Sequence, residues 1–170
     1  MPPTIRRATA ADAPSIGELA AEFQSYLRAQ GSRGEFRWGA DEYLRDGFGE
    51  DPAFQGLVAE EGGPPVGFAL YASGYDTTRG ERYVYLIDLF VTASHRRRGV
   101  GQALMRAVGE IGRRRGAEAV AWSVLTGDRA ARSFYEKLGA AYVDDSRVMW
   151  WDTSPRRPDP PCDPAPRRGI

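Results

Sequence analysis

The feature that most constrains the fold is the apolar and aromatic run RYVYLIDLFV at 82–91, which contains a single acid, Asp88. A nearly continuous apolar strand is typical of a sheet interior that is covered on both faces. The sequence therefore predicts that 82–91 lies at the centre of a sheet. The acid inside it is either a structural carboxylate bonded to backbone N–H groups or part of a site, and the pattern leaves both open.

The second feature is the basic, glycine-containing segment that follows this strand, Arg96-Arg97-Arg98-Gly99-Val100-Gly101. Free N–H groups and the positive end of a helix dipole favour an anion, and glycine lets it approach the backbone closely. The arginines add charge-assisted donors. The segment predicts a diphosphate site, with a helix start surrounded by exposed arginines as the alternative.

Two other phosphate-binding loops do not fit this segment. A Walker A loop ends in Gly-Lys-Ser/Thr, which is missing here. The dinucleotide-binding fingerprint needs a third glycine where this chain has Leu104, and the open α/β order that should precede it is also missing.

The rest of the chain predicts one α/β domain with a mixed sheet of six to seven strands and flanking helices. We place this domain at 1–152 and a proline-rich disordered tail at 153–170. The predicted helices are 12–29, 40–47, 99–115 and 128–138, and the predicted strands are 4–8, 54–60, 66–72, 82–91, 119–125, 140–143 and 147–151.

Composition excludes several classes of protein. One cysteine and one histidine exclude an internal disulfide and a Cys/His zinc cluster, so we expect no metal. No apolar run approaches the ~20 residues of a membrane span, and no signal peptide is visible. We therefore expect a cytoplasmic protein without a membrane partner. The 23 basic and 23 acidic residues balance, which argues against nucleic acid as a partner.

The charges are nevertheless unevenly distributed along the chain. Seven acids fall within 41–61, and seven arginines fall within 96–115. The first region could hold a cationic substrate, together with Glu22, and the second could hold an anion. The alternative for both regions is a solvated surface.

Two segments taken together resemble the GNAT superfamily of acetyl-CoA-dependent N-acetyltransferases. They are the R-x-x-G-x-G segment from Arg96 to Gly101 and the helix D-x-x-A-x-x-F-Y-x-x-L-G from Asp128 to Gly139. The resemblance covers about 3–151. Several blocks are similar to the diamine (spermidine/spermine) N-acetyltransferases: Ile5–Asp12, Asp46–Glu50, Leu57–Glu60, Val66–Ala69, Tyr75-Asp76 and Tyr85–Val91.

The resemblance implies a GNAT fold, a homodimer, and acetyl-CoA as the co-substrate. It places Tyr135 beside the sulfur of acetyl-CoA. The residues that it assigns to the remainder of acetyl-CoA are Leu89, Phe90 and Val91 for the pantetheine arm, Arg96, Arg97, Arg98, Gly99, Val100, Gly101 and Gln102 for the pyrophosphate, and Asp128 and Ala131 along the cofactor.

Acetyl transfer to an amine needs few side chains. The amine must lose a proton and the thioester must expel a thiolate, so a tyrosine of pKa ~10 can protonate a thiol of pKa ~8.5. Tyr135 is the candidate acid, unless it is a core tyrosine. Asp88 is the candidate base, with a water chain as the alternative, and Asp88 and Glu22 are the candidate residues for binding the amine.

The implied function is acetylation of a primary amine, with a small diamine, polyamine or lysine-like amine as the favoured acceptor. Two positions depart from the pattern of the diamine enzymes: Ile87 stands in place of a glutamate tied to amine binding, and Asp128 in place of an asparagine. Acetylation of a protein lysine or N-terminus, and a noncatalytic acyl-CoA-binding module, are the alternatives.

Overall fold

The computed structural model describes residues 2–143, 148, 149 and 153 of the 170-residue chain. Within them, five strands form one sheet in the order β1-β2-β3-β4-β5. Neighbouring strands are antiparallel except β4 and β5, which are parallel. The strands are β1 Thr4–Arg7, β2 Gln55–Glu60, β3 Pro65–Asp76, β4 Glu81–Val91 and β5 Ala117–Ala121.

The helices lie between these strands along the chain. They are α1 Ala13–Ala29, α2 Ala40–Phe48, α3 Val100–Arg114 and α4 Arg129–Lys137, with short 3-10 turns at Ala10–Asp12 and Ala93–His95. Among the described residues, none of the helices is long and apolar enough to cross a membrane.

The sheet has an apolar layer on each face. On one face, the helix α3 packs its buried residues Leu104 and Val108 against Val84 and Leu86 of β4. On the other face, α1 and α2 contribute Ile16 and Tyr43, which pack in a cluster with Phe90. The helices on both faces fix the central strands firmly, so side chains at the end of β4 are held in place.

A β-bulge at Ile87 changes the direction in which the side chains of β4 point. Leu70 is opposite Asp88 while Tyr71 is opposite Leu86, so Ile87 is an extra residue in the ladder. Leu86 packs on the α3 face, whereas Phe90 packs on the α1 face. Since successive side chains alternate, Asp88 lies on the α1 face with Phe90.

The strands β4 and β5 separate halfway along β4. Their pairing runs from Arg82 opposite Ala117 to Tyr85 opposite Ala121, where β5 ends. Beyond that point, 86–91 keeps its pairing with β3 only, and 122–125 leaves the sheet. The separation opens the edge of β4 that faces away from β3.

The predicted mixed α/β fold is confirmed, with corrections in its details. The described residues contain five strands rather than six or seven. The strand predicted at 119–125 ends at Ala121, because 122–125 diverges from β4, which itself continues to Val91. No strand forms at 140–143, where Tyr142 and Val143 are exposed rather than packed on the sheet.

The last predicted elements are mostly outside the described residues. Val148 and Met149 are not in a strand, and 147, 150 and 151 are not described. The predicted tail also lies beyond the described residues, except for 153. The expected burial of 82–91 on both faces is wrong in part, because Tyr85 and Ile87 are each 37% exposed where β5 ends.

A partly buried ion pair between Arg6 and Asp12 joins β1 to the start of α1. The Arg6 guanidinium donates to both oxygens of Asp12 at 2.8 and 2.6 Å, and the Thr9 N–H donates to Asp12 Oδ2 at 2.7 Å. The Arg6 guanidinium, followed by the Thr9 contacts, lowers the pKa of Asp12 to about 2 against the cost of burial. The carboxylate therefore stabilises the folded state above its ordinary pKa, and this contribution is lost as pH falls through about 2.

We predict that Asp12→Ala lowers the free energy of unfolding by roughly 2 kcal/mol at neutral pH, because a cap and a charged pair are lost together. The difference from wild type should shrink between about pH 5 and pH 2, as the wild-type carboxylate protonates. Urea unfolding at several pH values measures it. Glu18→Ala, which removes an exposed acid from the same helix, should change little, and equal losses in both variants would contradict the prediction.

Candidate active site

A cavity of about 910 Å³ lies where β4 and β5 separate. The end of β4 forms one wall, and α1, the segment 122–125, the start of α3 and the helix α4 form the others. Both features singled out in the sequence, the acid of β4 and the basic glycine segment, therefore meet in one place. The residues that line the cavity include Tyr26, Asp88, Arg96, Gly101, Asp128 and Tyr135.

Asp88 faces this cavity from the α1 side of the sheet. None of the hydrogen bonds found among the described residues reaches its carboxylate. Burial raises the pKa of Asp88 to about 7, because the charged form loses hydration that no partner replaces. A carboxyl group with this pKa can both take up and release a proton near neutral pH.

Tyr135 lies on α4 and shares the cavity with Asp88. Its ring packs against Trp122, with ring centroids 4.7 Å apart. Burial is the main cause that raises the pKa of Tyr135 to about 12, and the charges of Asp88 and Asp128 add to it. The hydroxyl therefore keeps its proton at neutral pH and can act as a donor near Asp88.

The first turn of α3 forms the anion-binding end of the cavity. Gly99 precedes the helix with φ +88°, a left-handed conformation that favours glycine, and no side chain caps the helix. Arg97 adopts φ +60°, which is uncommon for a residue with a side chain. The N–H groups of Gly101 and Gln102 lie in this first turn, where an α-helix offers no acceptor of its own.

Gly101 shapes this end of the cavity. A Cβ atom at Gly101 would lie 3.3 Å from Cζ of Phe134 on α4 and 3.8 Å from Leu89 on β4. Glycine at this position therefore lets α3, α4 and β4 approach one another closely. An uncapped helix start, neighbouring arginines and a glycine at the closest approach fit a phosphate group well.

Arg96 lies just before α3, and its side chain reaches α1. Its Nε donates to the carbonyl of Val91 at 2.8 Å, and its guanidinium carbon lies 4.5 Å from the centre of the Tyr26 ring. A cation over an aromatic face is attracted to it. Arg96 is therefore held along the cavity wall rather than extended into solvent.

Asp128 joins α1 to α4 and is only 3% exposed. The Tyr26 hydroxyl donates to its Oδ2 at 2.6 Å, and the Ala131 N–H donates to its Oδ1 at 2.9 Å. Asp128 therefore caps the N-terminus of α4. Burial first and the Asp128 contact second raise the pKa of Tyr26 to about 12, so the hydroxyl remains a donor.

Most residues assigned from the sequence line the cavity. The twelve that do so are Asp88, Leu89, Phe90, Val91, Arg96, Arg97, Gly99, Gly101, Gln102, Asp128, Ala131 and Tyr135.

Three assigned residues lie elsewhere in the described part of the chain. Glu22 accepts from the Thr92 hydroxyl at 2.6 Å and from the Ala93 N–H at 2.9 Å, so its carboxylate holds the end of β4. Nη1 of Arg98 lies 3.8 Å from Oε2 of Glu61. Val100 is the first residue of α3, and its side chain is buried in the core, so only its backbone can meet a ligand.

Sequence reasoning missed the contributions of α1 and of 122–125. Phe23, Tyr26 and Leu27 line the cavity, and they follow one another at helical spacing on α1. The spacing signals only an apolar face. Nothing local indicates that a tyrosine on that face bonds an aspartate 102 positions away.

Among the residues that the structure describes, no three His, Cys, Asp or Glu side chains are grouped so that they could hold a metal ion.

Comparisons with known proteins agree with this geometry. Residues 17–140 match the Acetyltransferase (GNAT) family. The chain is 36% identical over 116 residues to thialysine N-epsilon-acetyltransferase of Mus musculus, covering 63% of this chain and 68% of that relative. It is 30% identical over 154 residues to spermidine/spermine N(1)-acetyltransferase-like protein 1 of Homo sapiens, covering 86% of this chain but 21% of that relative.

A solved structure supports the fold alone. An integron cassette protein from the mobile metagenome of V. cholerae superposes with a TM-score of 0.75 at 22% identity, covering 89% of this chain and 93% of that chain. The resemblance expected from the sequence is therefore confirmed at the level of family and fold. The match covers only part of the length of each curated relative.

We predict that Asp88→Asn changes stability in a pH-dependent way. Since the folded-state pKa of Asp88, about 7, lies above its ordinary value, protonation favours the folded protein, and stability falls as pH rises through about 7. The variant, which cannot ionise, should gain melting temperature relative to wild type as pH rises from about 4 to about 7, and the gain should stay constant above about pH 7. Thermal unfolding of both proteins measures this difference, and a difference that is constant with pH would contradict the prediction.

Proposed function

This chain belongs to the GNAT family of acetyltransferases, and from that membership we propose that it transfers the acetyl group of acetyl-CoA to a small primary amine. One observation carries the proposal. Tyr135, which keeps its proton, and Asp88, whose carboxyl group none of the described hydrogen bonds reaches, line the same cavity beside the uncapped start of α3. Diamines, polyamines and lysine-like amines are the proposed acceptor classes, and a cytoplasmic homodimer is the proposed form. The names of the mouse and human relatives support this choice of acceptors.

The described residues fit acetyl-CoA along the whole cavity. The first turn of α3, with Arg96 and Arg97, would hold the pyrophosphate. Leu89, Phe90 and Val91 would border the pantetheine arm, and Leu89 and Val91 would present backbone groups to it, because β5 ends at Ala121 and leaves that edge of β4 without a strand. The carbonyl of Phe90 points toward Gly67 of β3 instead. Gly101 lets α3 approach α4 and β4 closely at this end of the cavity.

Asp88 supplies the base in this proposal. Acetyl-CoA supplies an acetyl thioester, whose C–S bond breaks as the C–N bond of the amide forms. A primary amine arrives mostly as an ammonium ion and must lose a proton before it can attack. Asp88, with a pKa of about 7, accepts that proton and passes it to solvent.

Tyr135 supplies the acid. Its hydroxyl stays protonated until negative charge develops on the sulfur, and it then donates its proton there. The second proton that the nitrogen loses in forming the amide replaces the one given by Tyr135. The balance is therefore one amide, one thiol and one proton released to solvent.

We predict that Tyr135→Phe lowers turnover by about 10²–10⁴-fold, because the ring is kept and only the proton donor is lost. Thiol release from acetyl-CoA with a panel of amines measures turnover, and calorimetry should show acetyl-CoA affinity within a few-fold of wild type. Tyr75→Phe, on an exposed residue of β3, is the matched control and should be unaffected.

An unchanged rate in Tyr135→Phe would contradict the role of this residue as the acid. If Tyr135 only packs, its Phe variant should lose roughly 1 kcal/mol of stability and keep its rate. Acetyl-CoA binding without thiol release by any amine or peptide would leave a noncatalytic acyl-CoA-binding module.

We predict that Gly101→Asp weakens acetyl-CoA binding at least about tenfold, since a carboxylate would face the pyrophosphate. Gly109→Asp is the matched control: it adds the same charge to the same helix, at a position where a Cβ meets no atom within 4 Å. Gly109→Asp should melt near the wild-type temperature, and Gly101→Asp should melt below it, because its Cβ would lie 3.3 Å from Cζ of Phe134. Equal affinity in the two folded variants would remove the start of α3 from the binding site.

A further inference from the structure

The side chain of Tyr26 on α1 contacts three other parts of the cavity wall. Its hydroxyl donates to Oδ2 of Asp128 at 2.6 Å, and its ring centre lies 4.5 Å from the guanidinium carbon of Arg96. The ring of Phe90 on β4 is also close, with ring centroids 6.4 Å apart. Tyr26 is therefore held against β4, the segment before α3 and the cap of α4 at the same time.

The helix α4 has little else to fix its position. It spans nine residues, and none of them is buried. Among the described residues, the bond between Tyr26 and Asp128 is the one side-chain hydrogen bond that connects α4 or its cap to a strand or another helix. Asp128 passes this connection on, because its Oδ1 accepts from the Ala131 N–H in the first turn of α4 at 2.9 Å. The hydroxyl of Tyr26 thus sets where α4 begins.

The place where α4 begins determines where Tyr135 lies. Tyr135 follows Asp128 by seven positions, which is about two turns of an α-helix. A displacement of the first turn is carried along the helix to the phenol. The ring of Tyr135 is supported by Trp122, but that contact is between ring faces and leaves the hydroxyl free to shift. Proton donation to a sulfur atom depends on such a shift, because a misplacement of about 1 Å can lower a rate by about 10²-fold.

The hydroxyl of Tyr26 is itself committed to Asp128. Its proton lies in the bond to Oδ2, and both oxygens of Asp128 are occupied by their two donors. Neither group therefore has a proton or a lone pair left to exchange with a ligand without breaking this contact. Tyr26 acts through α4 rather than on the reacting atoms.

We propose that Tyr26 is a positioning residue for acetyl transfer: its hydroxyl, through Asp128, fixes α4 and thereby aims the Tyr135 hydroxyl at the sulfur of acetyl-CoA. The inference rests on the proposed function and adds to it a residue outside the proposed acid and base. It also gives the buried carboxylate of Asp128 a role in the rate of the reaction.

The variants Tyr26→Phe and Tyr43→Phe form a matched pair. Tyr43 lies on α2 and does not line the cavity, and its hydroxyl donates to the carbonyl of Thr9 at 2.8 Å. Each variant loses one hydroxyl and one hydrogen bond and keeps its ring, so both should melt below the wild-type temperature. Thiol release from acetyl-CoA with the panel of amines should show kcat lowered about 10- to 100-fold in Tyr26→Phe and kept within about twofold in Tyr43→Phe.

Binding separates positioning from a damaged cofactor site. Calorimetry should show acetyl-CoA affinity of Tyr26→Phe within about threefold of wild type, because the ring beside Arg96 is kept. An unchanged kcat in Tyr26→Phe, or an equal fall in both variants, overturns the inference and leaves the proposed function standing. A wild-type chain that releases thiol with no amine removes the proposed function and the inference with it.

The double variant Tyr26→Phe/Asp128→Asn excludes a merely structural role. Tyr26→Phe alone leaves a buried carboxylate oxygen without a donor, and an unpaired charge costs more than an unpaired amide. The amide oxygen in the double variant can still accept from the Ala131 N–H. The melting temperature should therefore rise from that of Tyr26→Phe toward wild type, while kcat stays low because α1 and α4 are still not joined. A kcat that recovers together with the melting temperature overturns the inference.

Discussion

The separation of β4 from β5 is the constraint on which the rest of the site depends. Pairing stops at Tyr85 and Ala121, so the second half of β4 has β3 on one side and the cavity on the other. A strand edge exposed to solvent can pair with another chain, whereas an edge inside a cavity offers its N–H and C=O groups to a ligand. The bulge at Ile87 then turns Asp88 toward the α1 side of this opening. One interruption of the sheet thus creates both the ligand groove and the position of its carboxyl group.

The opening is kept in shape by Asp128. Its oxygens join the Tyr26 hydroxyl of α1 to the first turn of α4, and Arg96 lies over the ring of the same tyrosine. A buried carboxylate is costly unless its oxygens are bonded, and here both are. Since α4 carries Tyr135, the contact between Tyr26 and Asp128 also positions the candidate acid. Asp128 therefore acts on the site by holding two helices together, and an asparagine could not offer two acceptor oxygens to these two donors.

Local patterns predicted the parts of the site that local structure creates. The glycine segment before α3, the acid within β4 and the tyrosine on α4 each carry their signal within a few neighbouring residues, and all three line the cavity. The divergence of 122–125 could not be predicted in this way, because a strand-like composition does not reveal where the pairing with β4 stops. The hydrogen bonds of Glu22 could not be predicted for a related reason: its partners, Thr92 and Ala93, are 70 positions away or more, and only the tertiary fold brings them together.

The proposed chemistry rests on two groups, Asp88 and Tyr135, whose pKa values are both raised by burial. Burial disfavours the charged form of both Asp88 and Tyr135, which brings the carboxyl group to about 7 and the phenol to about 12. At neutral pH the first can therefore exchange a proton while the second holds one, which is the division of labour that amine acetylation needs. The same low polarity makes each added charge in the cavity expensive. The burial of Asp88 and Tyr135 in one apolar cavity is thus the common physical origin of the proposed base and the proposed acid.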